Sequence, residues 1–116
     1  MSTSKKNREI IISMINKLSG SKKDRPLLEP YIADETLVQH FLYFDSLFPE
    51  NELLIDELTS EGNRVVLRTR LRGRHQGFVK TIEFPMVFGF EIERQKIIHH
   101  WLLADQAKLI EQLQTK

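Results

Sequence analysis

An α+β fold, with helices packed on one curved antiparallel sheet, is predicted by three features of the chain. Apolar residues recur at helical spacing before Pro49 and again after Asp105. Between Glu52 and Ala104 they alternate in steps of two, the period of a strand with one buried face. Short clusters of turn residues separate the alternating runs, as expected for antiparallel neighbours. The chain has 116 residues, enough for one domain with one core and too few for two.

Each element has its own signature. Arg8 to Leu18 is the first expected helix, because Ile11, Met14, Ile15 and Leu18 form one apolar stripe. Ser19, Gly20 and Ser21 stop it. Lys22 to Glu29 is expected to be a short second helix, ended near Pro30. Tyr31 to His40 carries Ile32, Leu37 and Val38 without a clean period and gives no clear element. Phe41 to Phe48 is a short helix closed by Pro49.

Strands follow. Glu52 to Thr59 is the first, ended by the turn cluster Ser60, Glu61, Gly62 and Asn63. Arg64 to His75 alternates clearly. It sets Val65, Leu67, Thr69, Leu71 and His75 on one face and Arg68, Arg70, Arg72 and Arg74 on the other. Gly77 turns the chain into Phe78 to Glu93, a long strand or two strands bent at Pro85, with Phe84, Met86, Phe88 and Phe90 on its apolar face. Arg94 and Gln95 make the last turn before Lys96 to Ala104, the final strand. Gln106 to Gln114 is a closing helix, with Ala107, Ile110 and Leu113 expected toward the core. Such a sheet, wrapped by helices, would leave a cone-shaped apolar cavity lined or filled by the phenylalanines.

Composition narrows the function classes. The hydrophobic fraction is 41% and the charged fraction 28%, ordinary for a globular chain. A net charge of +1 gives no global electrostatic case for nucleic acid or an anionic membrane. The absence of cysteine excludes disulfides, thiolate metal sites and cysteine nucleophiles. No segment has the length and apolarity of a membrane span, and the N-terminal run lacks the features of a signal peptide, so the expected location is cytoplasmic.

The stretch Ile97 to Leu113 carries the chemistry. On a strand, His99, Trp101, Leu103 and Asp105 share one face, and His100, Leu102 and Ala104 the other. A carboxyl group beside tryptophan and histidine in an apolar pocket has its pKa raised toward the working range of a proton shuttle. Asp105 is therefore a candidate acid/base. It also stands where an aspartate would cap the closing helix. Parity selects His99 over His100 as the cavity-facing histidine, although a β-bulge would exchange them. His75 is a candidate for polarising a carbonyl or orienting Asp105; as a turn residue it would instead bond to backbone. Trp101, Phe84, Met86 and Phe88 are the expected pocket wall, or simply core. No third ligand has convincing spacing beside the histidines, so no metal site is expected. The arginine face lacks interleaved aromatics and is read as an outward, solvated surface paired with carboxylates such as Asp56 rather than an RNA site.

The run from Phe48 to Gly77, FPENELLIDELTSEGNRVVLRTRLRGRHQG, resembles a signature stretch of the SnoaL-like polyketide cyclases, a family within the NTF2-like superfamily. The matching residues are Phe48, Pro49, Glu61, Gly62, Arg64, Val65, Val66, Arg68, Gly73, His75 and Gly77. Lys96, Ile97, Trp101, Asp105, Leu109 and Leu113 match the family's C-terminal block. The resemblance covers nearly the whole chain, as a single domain over residues 1–116. It implies an NTF2-like cone-shaped barrel, N-terminal helices packed on a strongly curved antiparallel sheet, that commonly forms a homodimer through the sheet. It implies an intramolecular aldol cyclisation of a small hydrophobic polyketide-like carbonyl compound without metal or organic cofactor, with the acid/base at Asp105. It also points to His40 as a polar pocket residue. The chain departs from the pattern at Asn63, at Arg74, in the short Gly77 to Met86 region without a Thr-Gly-Lys stretch, and in the glycine-free turn at Arg94.

Two functions compete at this level. One is a cyclase or isomerase that uses Asp105 with help from His75 and His99. The other is a non-catalytic small-molecule-binding or dimerisation module, favoured by the trimmed rim. Epoxide hydrolysis, also found on this fold, would need an Asp-Arg-Asp constellation that the sequence does not assemble.

Overall fold

The computed structural model describes residues 3–75 and 80–114. Its elements run α1 (Thr3–Leu18), α2 (Arg25–Leu28), α3 (Glu35–Leu47), β1 (Glu52–Glu61), β2 (Arg64–Arg74), β3 (Thr81–Glu93), β4 (Lys96–Ala104) and α4 (Gln106–Gln114). The stripe of α1 is buried as expected, with Ile11, Met14, Ile15 and Leu18 fully enclosed. The helix begins five residues before the expected Arg8. The second helix shrinks to one turn, with Asp24 accepting the Leu27 N–H at its N-cap. The stretch without a clean period resolves into a loop and the first half of α3. Asp34 caps that helix, so it starts six residues before the expected Phe41.

The strands form one antiparallel meander in the order β1-β2-β3-β4. Adjacent pairing follows from the short connections. The hairpin between β3 and β4 turns on Arg94 and Gln95, both at positive φ, 51° and 68°. Expected glycine is absent there, and the chain accepts the left-handed backbone without it. Pro85 neither breaks nor divides β3. Its carbonyl faces the end of β4, where it accepts the Asp105 N–H, so its missing donor falls beyond the last ladder pair. Two bulges bend the sheet, one in β1 between Ile55 and Glu57 and one opposite Glu91 and Ile92, at the start of β4. The expected turn at Gly77 and strand start at Phe78 lie outside the described residues.

The concave face and the helices enclose the core. Val65, Leu67 and Leu71 from β2 and Ile82, Phe84, Met86, Phe88 and Phe90 from β3 are buried against α1 and α3. The phenylalanines stack across this layer: Phe41 on Phe88 at 5.7 Å, Phe88 on Phe90 at 5.4 Å and Phe48 against Phe84 at 5.8 Å. They fill the middle of the cone rather than line a void. The arginine face points outward, as expected. Arg70 bonds Asp56 at 2.9 Å and Glu83 at 3.0 Å, and Arg72 bonds Glu52 at 3.0 Å. No helix among the described residues is long and apolar enough to cross a membrane.

Candidate active site

The cavity-facing side of β4 is set by how the chain enters the strand. The segment before α3 docks on the start of β4, where the Ala33 and Asp34 N–H groups donate to the Ile97 carbonyl and the Ile97 N–H to the Tyr31 carbonyl. Ile97 is fully buried. Ile98 is the extra residue of the bulge, so the next inward side chain is His100, not His99. The pairs Phe90 with His100, Phe88 with Leu102 and Met86 with Ala104 then share the concave face.

This entry brings Asp34 against His100. The Asp34 Oδ2 and His100 Nδ1 atoms are 2.6 Å apart, and the side chains are only 15% and 7% exposed. The other oxygen, Oδ1, accepts the Thr36 N–H at the start of α3. Burial pushes the Asp34 carboxyl up, but the hydrogen bond and charge of His100, with the backbone N–H groups of Leu37 and Thr36, outweigh it. The net displacement is below the ordinary carboxylate range. An ionised carboxylate only accepts, so the proton of this contact belongs to His100 Nδ1.

His40, one helical turn into α3, meets the His100 ring edge-on with centroids 5.1 Å apart. Burial and the charge of His100 lower its pKa, against an upward pull from Asp34. The imidazole of His40 is therefore neutral at pH 7. Of the three, it is the one that opens onto the space beside α4.

That space is a groove of about 530 Å³ between α3, the ends of β3 and β4, and α4. Its size is typical of small-molecule sites. From α3 come His40, Tyr43, Phe44 and Leu47, which recur at helical spacing on one face. Phe84, Leu102 and Ala104 form the floor, and Leu109 and Ile110 of α4 the far wall. Asp34 and His100 lie behind His40 and do not line the groove.

Several expectations need correction. Asp105 is exposed rather than desolvated; its carboxylate accepts the Lys108 N–H at 2.9 Å and caps α4. His99 and Trp101 do share the Asp105 face, but that face is the outer one. Trp101 is 49% exposed and Leu103 67%. Trp101 lies over Gly89 and, with His99, Arg64 and Glu91, borders an outer hollow of about 320 Å³. His75 is half-buried beyond the end of β2, edge-on to Phe48 at 5.4 Å and away from the groove lining. Met86 and Phe88 are buried core; of the expected wall, only Phe84 lines the groove. On α4, Ala107 is exposed and Ile110 is 52% exposed, whereas Leu109 packs on the core; the Leu113 side chain lies outside the described residues.

The resemblance pointed to His40, which lines the groove; His100 stood in the sequence only as the bulge alternative to His99, and Asp34 was not singled out. The signal for Asp34 was present: an aspartate directly before Glu35 and Thr36, then Leu37, Val38 and Phe41 at helical spacing, is an N-cap pattern. The inward position of His100 depends on the bulge, which nothing in the local sequence announces. Among the described residues, no group of three histidine, aspartate or glutamate side chains has the geometry to hold a metal ion.

Comparison with known proteins gives a consistent result. The family model for SnoaL-like polyketide cyclases matches residues 22–113. No curated protein sequence matches the chain. A candidate polyketide cyclase from Acidithiobacillus ferrooxidans superposes with a TM-score of 0.80 at 18% identity, covering 97% of each chain. AclR, described as a candidate hydroxylase from Streptomyces galilaeus, gives 0.79 at 17% identity over 96% of this chain and 82% of its own. IdmH, a candidate polyketide cyclase from Streptomyces antibioticus, gives 0.78 at 16% identity over 94% and 99%. At these identities the structures speak for the shared fold.

Proposed function

The chain belongs to the SnoaL-like polyketide cyclase family, and from that membership we propose that it performs acid/base chemistry on a small hydrophobic carbonyl compound, with His40 as the proton-transfer group. The observation that carries this reading is the ordered line Asp34, His100, His40, groove. Asp34 orients His100, and His100 backs the neutral imidazole that faces the ligand space. A neutral imidazole whose pKa lies below its ordinary value is a competent base at pH 7.

The reaction needs no oxidant. His40 takes a proton from the carbon beside a carbonyl, and the C–H electron pair moves onto the carbonyl oxygen as an enolate. The enolate carbon forms a bond to a second carbonyl carbon of the same molecule. The alkoxide so formed receives the proton back from the His40 imidazolium. Atoms balance as an isomerisation, and the apolar floor of Phe84, Leu102 and Ala104 keeps water from the enolate. The partner proposed beyond the ligand is a second copy of the chain, packed on the outer sheet face where Trp101 and Leu103 stand exposed.

The test follows deuterium incorporation from solvent into 2-tetralone, a bicyclic ketone. Wild type accelerates exchange beyond an equal concentration of free imidazole. His40→Gln loses the acceleration by about 10²-fold or more, and Asp34→Asn loses part of it. The low-pH limb of kcat/KM falls below the ordinary imidazole value of about 6.5, because the neutral form of His40 is favoured in the fold. Absence of wild-type acceleration, or an unimpaired His40→Gln, overturns the reading and leaves a small-molecule-binding module.

A further inference from the structure

We infer that Tyr43 is a second catalytic residue, whose hydroxyl donates a hydrogen bond to the oxygen that becomes negative when His40 removes the carbon-bound proton; this rests on the reading of His40 given above. Among the described side chains lining the groove, His40 and Tyr43 are the two that carry polar atoms. They sit at positions i and i+3 of α3, with Cβ atoms about 5–6 Å apart on the same helix face. The acidic carbon of a ketone and its carbonyl oxygen are separated by a single intervening carbon. A base and a donor on successive turns of one helix can therefore serve both ends of that unit at once.

Tyr43 is a mostly exposed member of the groove lining. The residue is 59% exposed, and its ring pairs with that of Phe44, tilted at 5.9 Å. The hydroxyl holds no hydrogen bond to any described residue, although the Tyr43 carbonyl accepts one from the Ser46 hydroxyl. A phenylalanine would cover the same apolar surface. What the hydroxyl adds is a neutral donor at the rim, aimed at a ligand that must leave one oxygen without water once it fills the groove. An enolate oxygen gains far more from such a donor than the ketone oxygen it replaces, because charge develops there during the reaction. The step needs no covalent contribution from Tyr43, whose proton stays on the phenol while the electron pair of the broken C–H bond collects on the ligand oxygen.

Tyr43→Phe tests this in two ways. In the 2-tetralone exchange, kcat falls between about 10- and 100-fold with KM little changed, as expected when a contact is made mainly in the transition state. In equilibrium binding, 2-naphthol serves as the enolate mimic and naphthalene as its control. Tyr43→Phe weakens binding of ionised naphthol by about tenfold and leaves naphthalene binding unchanged. Unaltered circular dichroism and melting temperature show that the fold is intact, as expected for a mostly exposed side chain. Equal kcat and equal naphtholate affinity in Tyr43→Phe and wild type overturn the role of Tyr43. If that happens while His40→Gln is inactive, the base assignment stands alone. An active His40→Gln removes both.

Discussion

The Asp105 carboxylate accepts the Lys108 N–H and stands in solvent, so substitution there separates helix capping from proton transfer. Asparagine caps as well as aspartate, whereas alanine does not. Asp105→Asn is expected to keep both stability and 2-tetralone exchange, and Asp105→Ala to lose about 1 kcal/mol by chemical denaturation while its exchange rate per folded molecule stays unchanged. A hundredfold loss of exchange in Asp105→Asn would return the acid/base role to this residue. Asp34 differs in kind. Its two oxygens hold a helix start and an imidazole at once, and its environment is largely closed. Asp105 was legible as a cap from its place before an amphipathic run. Asp34 had the same signature but lay in a stretch whose apolar residues were sparse, and its histidine partner is 66 positions away.

At the scale of elements, the bulge in β4 does most to define the site. It inserts Ile98, so that Ile97 and His100 both point inward and Trp101 points out. Alternation alone grouped His99 with Trp101 correctly, but the group it aimed at the cavity is the outer one. Both groups are partly apolar, and among the described residues the helices cover one side of the sheet. Trp101 finds its place on the outer face because Gly89, directly across the ladder, has no side chain. A Cβ built on Gly89 would stand 2.0 Å from Trp101 Cε2. Gly89→Ala is therefore expected to destabilise the protein by about 1–3 kcal/mol through overpacking. In a Trp101→Ala background the same substitution should cost much less, and the double-mutant cycle measures the difference. A full cost in that background would locate the strain in the backbone of β3 instead.

On the scale of the whole molecule, the two faces of the sheet differ in what they expose. The concave face is packed with phenylalanine, and a groove opens at its α3 and α4 end. The outer face combines arginine–carboxylate pairs with exposed Trp101, Leu103 and Val66. Apolar area of this kind among fixed charges of both signs suits a self-complementary contact with a second copy. Light scattering is expected to give twice the mass of 13.7 kDa for wild type and a single mass for Trp101→Lys combined with Leu103→Lys. A monomeric wild type at micromolar concentration would remove the dimer.

By itself the sequence determined the order of elements, the apolar stripe of α1, the alternation of β2 and β3, and the outward arginines, because those patterns are periodic and local. It also determined family membership, through motifs spread along nearly the whole chain. That His100 turns inward beside His40, and that Asp34 meets it, only the tertiary structure decided. Those choices rest on one inserted residue in a strand and on a contact between distant segments, and neither leaves a periodic trace along the chain.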